Sequence, residues 1–419
     1  VAEGVTKIDG ALDQIEPLLE PAHNALTLLP KALGSEGPRD YLLIFQNNAE
    51  SRGTGGNPAA IALLSAENGK ISLVQQASSS DFAPGQSRTT PVMPLDPQTE
   101  ALYGDKIGRF VMDTTLTPDF SETAALVRAF WAESFGGKID GVASFDPVAL
   151  SYLLKATGPV TLATGDTLTA DNAVSLLLSE VYARYPVPEE QDAFFAAAAA
   201  SVFDALLHGA SDPKALLGAL AQAAGEGRLM YSPSAPEEAA VIAGTRVGGT
   251  LPATDAEQTV MGVYVDDITA GKLDYYLQLD VNASSTQCQA PDAAQFTASA
   301  TLTNVLTKEA VPDLPLYVSS GQYFPKGIIS TDLVIYGPVG ASLKEVTVNG
   351  SPVSVTALPH LGRNAVKVNV WTGPGESAVV AATYEGAGAP YGPLEVWHTP
   401  MVRPTPVDIS TPGCTAPSP

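Results

Sequence analysis

Cysteine is nearly absent: two residues in 419, Cys288 and Cys414. Two thiols cannot make a zinc site, and neither stands in a C-x-x-C pair. Two readings stand, a pair of unrelated thiols or one long-range disulfide of an exported protein. In the chain-entropy model such a bridge, closing a loop of roughly a hundred residues, stabilises by about 4–5 kcal/mol. Histidine is also scarce, with His23, His208, His360 and His398 scattered along the chain. The sequence has no G-x-S-x-G elbow, P-loop, H-E-x-x-H or Rossmann glycine pattern, so serine hydrolases, zinc enzymes and nucleotide oxidoreductases fall away. Positive charge is short, 22 Lys and Arg against 45 Asp and Glu, for a net charge of −23. With no basic stripe to displace counterions, nucleic acid is excluded as a partner, and adsorption to anionic lipid by charge alone is disfavoured. No run approaches the roughly 18–20 apolar residues of a membrane span, and no signal-peptide pattern opens the chain. It is read as the mature or trimmed ectodomain of a longer protein.

What is present is globular: 45% hydrophobic and 16% charged residues, enough chain for two full-sized cores. Residues 1–34 carry helical periodicity through Val5, Ile8, Leu12, Ile15 and Leu19, a stalk or packing helix. Residues 35–243 alternate strands and helices, which predicts an α/β sandwich on a mixed sheet. Within them Ser121 is the expected cap of a helix over Thr123–Phe135, and Asp146-Pro147 that of the next. Ala196–Ala200 reads as helix-forming packing surface. Residues 244–258 are a linker. Residues 259–403 hold β-branched runs, among them Lys272–Val281, Val353–Ala357 and Ala365–Trp371, whose spacing predicts an immunoglobulin-like β-sandwich. A Pro/Thr-rich tail, 404–419, closes the chain. Asp266, Asp267, Asp274 and Asp280 lack a calcium-loop spacing and read as solvated strand edges. Tyr264, Tyr275, Tyr276 and Tyr317 either fill the core or line a glycan groove.

The chain is organised around Arg39–Phe82. Apolar runs Tyr41–Phe45, Ala59–Leu64 and Ile71–Val74 have strand length, and Asn68-Gly69 signals a hairpin. Between the first two runs lies a polar, glycine-bearing loop, Gln46–Pro58. Glycine permits close approach of a ligand and Arg52 offers a fork of donors for phosphate, so the loop is expected to rim a cavity; a wide connection of turn formers is the plain alternative.

Q-N-N-A-E-x-R-x-T-G-G, an apolar strand and N-G-K-I resemble the signature of a bacterial surface family, domain of unknown function 4012. The resemblance continues through Thr117–Phe120, Asp140–Val142, Asp146-Pro147, Thr157–Val160 and Thr169–Tyr185. That family in turn resembles the LytR-CpsA-Psr ligases, which carry polyprenyl-pyrophosphate-linked glycans to the cell wall. The resemblance implies a protein outside the cytoplasmic membrane, held by an N-terminal anchor beyond this chain, with lipid-linked and cell-wall glycan as partners. It implies Arg52 and Asp81 as catalytic residues, with Asp81 on Mg2+ or the acceptor. Gln46, Asn48, Glu50, Asn57, Arg88, Arg109 and Arg184 would bind phosphate or ligand. The chain departs from the ligases where Asn57 replaces an aspartate, Ser80 an arginine, and Glu189-Glu190 stand where a base is expected. Arg88, Lys106 or Arg109 would have to refill the lost charge. Loss of one guanidinium beside a pyrophosphate removes a bond worth about 1.5–3 kcal/mol. The alternative is therefore a non-catalytic lipid- or glycan-binding module with an eroded ligase site.

Overall fold

The computed structural model describes residues 30–82, 88–208, 212–388 and 390–414. Nearly all of the expected N-terminal helix, and the end of the tail, lie outside them. The first sheet begins with β1 (Arg39–Asn47), β2 (Asn57–Glu67) and β3 (Lys70–Ser78), an antiparallel meander. Asn68 and Gly69 both take positive φ, 51° and 80°, as a tight turn between β2 and β3 requires. β4 (Gly141–Phe145) returns parallel to β1, and β7 (Met230–Pro233) closes the order β3-β2-β1-β4-β7; β5 (Val160–Thr161) and β6 (Thr167–Leu168) form a separate small hairpin.

Strand alternation sends successive residues of β1 to opposite faces. Leu42 and Ile44 meet Phe120, Val127, Phe130 and Trp131 of the helix Phe120–Ser134. Leu43 and Phe45 pack against the other core, which holds Leu150, Leu177, Tyr182 and Phe194 from the opposite layer of helices. Those helices are Pro147–Thr157, the stretch from Ala173 to Arg184 with a π-turn at Leu176–Glu180, and Pro188–His208. The first-face helix is capped by Asp119, not Ser121. The Asp119 carboxylate accepts from the Ser121 and Glu122 amides, and the Ser121 hydroxyl donates to it at 2.7 Å. Phe120 thereby joins the helix and is fully buried.

The second half holds β8 (Thr259–Asp267), β9 (Leu277–Ser285), β10 (Gln295–Asn304), β11 (Ile329–Val339), β12 (Ser342–Val348), β13 (Ser351–Pro352), β14 (Leu358–His360), β15 (Arg363–Thr372), β16 (Ser377–Glu385), β17 (Leu394–His398) and β18 (Val407–Ser410). They form sheets β13-β12-β16-β10-β9-β18 and β14-β15-β11-β8-β17. Both are mixed, because β18 runs parallel to β9 and β17 parallel to β8. Their facing sides share one core, including Leu279, Phe296, Leu333, Val366 and Tyr384. Cys288 and Cys414 are joined as a disulfide that ties the end of the chain to the turn after β9.

Two expected strands shift. Leu273–Tyr276 is a 3-10 turn and the strand begins at Leu277, since Asp274 turns inward. Val353–Ala357 is irregular, and pairing resumes at Leu358. The molecule is thus a mixed α/β protein with several mixed sheets, and among the described residues no sheet closes into a barrel and no helix is long and apolar enough to cross a membrane.

Candidate functional site

Every residue from Gln46 to Pro58 is buried. The loop between β1 and β2 is no open rim; the second half of the chain seals it. The Asp267 amide donates to the Ser51 carbonyl at 2.9 Å and the Asp274 amide to that of Ala49 at 3.1 Å. In return the Ser51 amide donates to Asp274 Oδ2 at 3.1 Å, and the Gly53 amide to Asp266 Oδ1 at 3.0 Å. Asn48 Nδ2 donates to Asp146 Oδ2 and to the Pro400 carbonyl, both at 2.9 Å. The glycines serve the protein's own packing. A Cβ on Gly53 would sit 2.3 Å from the Leu116 carbonyl, and one on Gly56 would sit 2.3 Å from that of Asn47.

Arg52, 5% exposed, spends its guanidinium inside this joint. Nη2 donates to Glu50 Oε1 at 2.8 Å and lies 3.7 Å from Asp113; Nη1 reaches the carbonyls of Ser51 and Asp267. Lys272 pairs with the other oxygen of Glu50. Four buried carboxylates, Glu50, Asp266, Asp267 and Asp274, and the half-buried Asp113 therefore surround two cations. Burial pushes the Asp266 carboxyl up to about 7 and that of Asp267 to about 6, against partial relief from Arg52. Burial, then the charge of Asp267, lifts Asp274 well above the carboxylate range. Burial would raise Glu50 as well, but Lys272 and Arg52 more than offset it and hold it low. Three of the four aspartates read as solvated edges, Asp266, Asp267 and Asp274, are in fact the floor of the joint, while Asp280 stays half-buried on β9 beside Gln278. A sequence signal existed: Asp266 and Asp267 end an apolar strand with no alternation.

An open feature lies one step away. Between β1–β3 and the alanine-rich helix Pro188–His208 runs a cavity of about 390 Å³, with walls of Phe45, Ala59, Ala60, Ile61, Phe195, Ala196 and Ala199. A deeper apolar recess of about 70 Å³ shares Phe45, Ala59, Ala60, Phe195 and Ala199 with it and ends on Gln46, Asn47 and Asp146. Alanines on both sides hold strand and helix apart by an open channel rather than by interlocked side chains. At the mouth stand Ser78, Ser80, Asp81, Glu189 and Asp192. Burial, opposed by a bond from Ser78 and reinforced by the charges of Asp81 and Glu189, raises the Asp192 carboxyl.

Residues 36–182 match the family model described as "Protein of unknown function (DUF4012)". That stretch, 147 of the 419 residues, is a DUF4012 region. The matched stretch contains the buried loop and one wall of the channel. No curated protein matches the chain. Among solved structures, the Lin1025 protein from Listeria innocua is 13% identical over 55% of this chain and 86% of that one, with a TM-score of 0.28. Protein gbs0355 from Streptococcus agalactiae is 9% identical over 52% and 75%, TM-score 0.31. The lpg2210 protein from Legionella pneumophila is 10% identical over 32% of this chain, spans 44% of its own length, and has a TM-score of 0.19. Scores this low carry nothing about shared chemistry.

In the DUF4012 stretch the fold brings together Gln46, Asn48, Glu50, Arg52 and Asn57, all within the joint. Gln46 Nε2 donates to Ser144, its Oε1 accepts from the Gly56 amide, and the Asn57 amide donates to the Glu50 carbonyl. The remaining candidates lie elsewhere. Asp81 caps a short exposed turn, accepting from the Ser78 amide at 2.8 Å. Arg88 pairs with Glu133, and Arg109 bonds Asp105 and the Arg88 carbonyl. Arg184 lies between Asp166 and Glu180 on the surface. Lys106 acts electrostatically on Asp113 and Asp266. Each candidate arginine already has a carboxylate. For magnesium the fit is poor: among the described residues no group of three or more carboxylates, histidines or cysteines is arranged around a point, and Asp81 is spent on its own turn.

Proposed function

We propose that this protein binds the apolar chain of a polyprenyl-phosphate- or pyrophosphate-linked glycan at the outer face of the cytoplasmic membrane, during assembly of surface polysaccharide or cell-wall glycopolymer, without transferring it. In this reading residues 35–243 are a LytR-CpsA-Psr-like α/β sandwich, the following domain is an immunoglobulin-like sandwich, and an N-terminal anchor precedes the chain. The channel between β1–β3 and the helix Pro188–His208 carries the reading, because its apolar walls suit a flexible hydrocarbon and its mouth is polar. Transfer is set aside because Arg52 and Arg184 are neutralised by carboxylates, while the mouth holds acids where a pyrophosphate needs cations.

Native mass spectrometry of the full chain with a polyprenyl phosphate, with and without magnesium, tests it. Binding indifferent to magnesium and lost when Ala59→Phe and Ala199→Phe fill the channel is expected. Binding unchanged in that variant refutes the site. Magnesium-dependent release of polyprenyl phosphate from a pyrophosphate-linked glycan refutes the non-catalytic role.

A further inference from the structure

The chain has three tryptophans. Trp131 and Trp397 are buried, at 1% and 5% exposure, whereas Trp371 on β15 is 59% exposed. A large aromatic side chain left open to water on a sheet face calls for a reason, since burying it would be favourable. Its orientation is fixed. The indole Nε1–H donates to Asn369 Oδ1 at 2.9 Å, and Phe324 packs against the ring edge-to-face at 5.2 Å between centroids. Tyr323, next to Phe324, is 72% exposed.

The same face continues as a row of polar groups. Lys367, Asn369 and Trp371 alternate outward along β15, and cross-strand pairing sets Asp332 opposite Asn369 and Ser330 opposite Trp371. Asn369 Nδ2 donates to Asp332 Oδ1 at 2.8 Å, and Lys367 Nζ lies 4.0 Å from Asp332 Oδ2. β14 pairs only with Arg363–Ala365, so it does not cover the edge of β15 beside these side chains.

We infer that this face of the second domain is a binding platform for an uncharged polysaccharide, with Trp371 as the stacking surface and Asn369, Asp332 and Lys367 as the hydroxyl-reading groups. The negative face of an aromatic ring attracts the weakly positive C–H groups on one face of a pyranose. Amide, carboxylate and ammonium groups on the neighbouring pleats supply both donors and acceptors for its hydroxyls. Lys367 and Asp332 cancel one another, so the platform is locally neutral in a molecule of net charge −23. That charge repels a polyanion and leaves a neutral sugar chain as the fitting occupant.

Because Trp371 is the exposed tryptophan, acrylamide quenching of the full chain reports chiefly on it. Dextran, mannan and xylan, each added as a soluble chain, serve as probes in quenching and in affinity gel electrophoresis. At least one is expected to protect the fluorescence and retard the protein. Trp371→Ala should weaken retardation about tenfold or more, Trp371→Phe by less, and both should melt as wild type does. Absence of binding to all three, or retardation unchanged in Trp371→Ala, overturns the inference. Polyprenyl phosphate binding should be unaltered in Trp371→Ala, so the platform and the channel stand or fall separately.

Discussion

At the scale of single residues, Arg52 is the most consequential side chain. Removing one partner of a buried ion pair leaves an uncompensated charge, at a typical cost of about 3–5 kcal/mol. Arg52→Ala leaves Glu50 with Lys272 alone and takes from Asp113 its ion-pair partner, and denaturant unfolding should show a loss of roughly that size. A variant as stable as wild type would mean that the guanidinium has another role. The buried aspartates set a pH dependence. Asp266 and Asp267, raised to about 7 and about 6 from 3.8, keep protons that the unfolded chain releases. Their contribution is therefore fully present below about pH 4 and is lost as pH rises to 7. Glu50, held low, works the other way: its contribution is present above the usual carboxylate range and is lost as the solution turns more acidic. Thermal melts between pH 4 and 8 should fall in midpoint with rising pH, and Asp266→Asn, which can still accept from Gly53, should flatten that slope.

Among elements, the helix Pro147–Thr157 ties the site to its surroundings. Asp146 caps it by accepting from the Ala149 amide at 2.7 Å, and its other oxygen accepts from Arg228 Nη1 at 2.7 Å and from Asn48. Asp146→Ala removes a cap, worth about 1 kcal/mol, and leaves Arg228 buried without its chief partner. A loss of several kcal/mol in chemical unfolding is expected, well above that of an exposed cap such as Asp212→Ala. The cap and its Pro147 were legible in the sequence because both act locally. The alanine run was legible only as helix. That Ala196 and Ala199 face Ala59 and Ala60 across a channel depends on how helix and sheet approach each other, which no local pattern encodes.

For the molecule as a whole, the buried loop makes two sheet systems one structure. Main-chain bonds from Ala49 and Ser51 to Asp274 and Asp267, with the Arg52 and Lys272 pairs, would be exposed if the halves parted. Calorimetry should show one cooperative transition, and residues 35–243 alone should be insoluble or partly unfolded. Reduction of Cys288–Cys414, which are 126 residues apart, should lower stability by about 4–5 kcal/mol in the chain-entropy model. The sequence alone determined the meander of β1–β3, the Asn-Gly turn, most helix starts and the change to β-structure after the linker, because each follows from neighbours along the chain. The likeness of residues 36–182 to the DUF4012 family was also readable there. Tertiary structure decided that the polar glycine loop is a sealed joint, that three aspartates are buried and that Trp371 is not. Burial is a property of what arrives from distant sequence, and β8, covered on one side by its own core and on the other by the first domain, shows why alternation could not announce it.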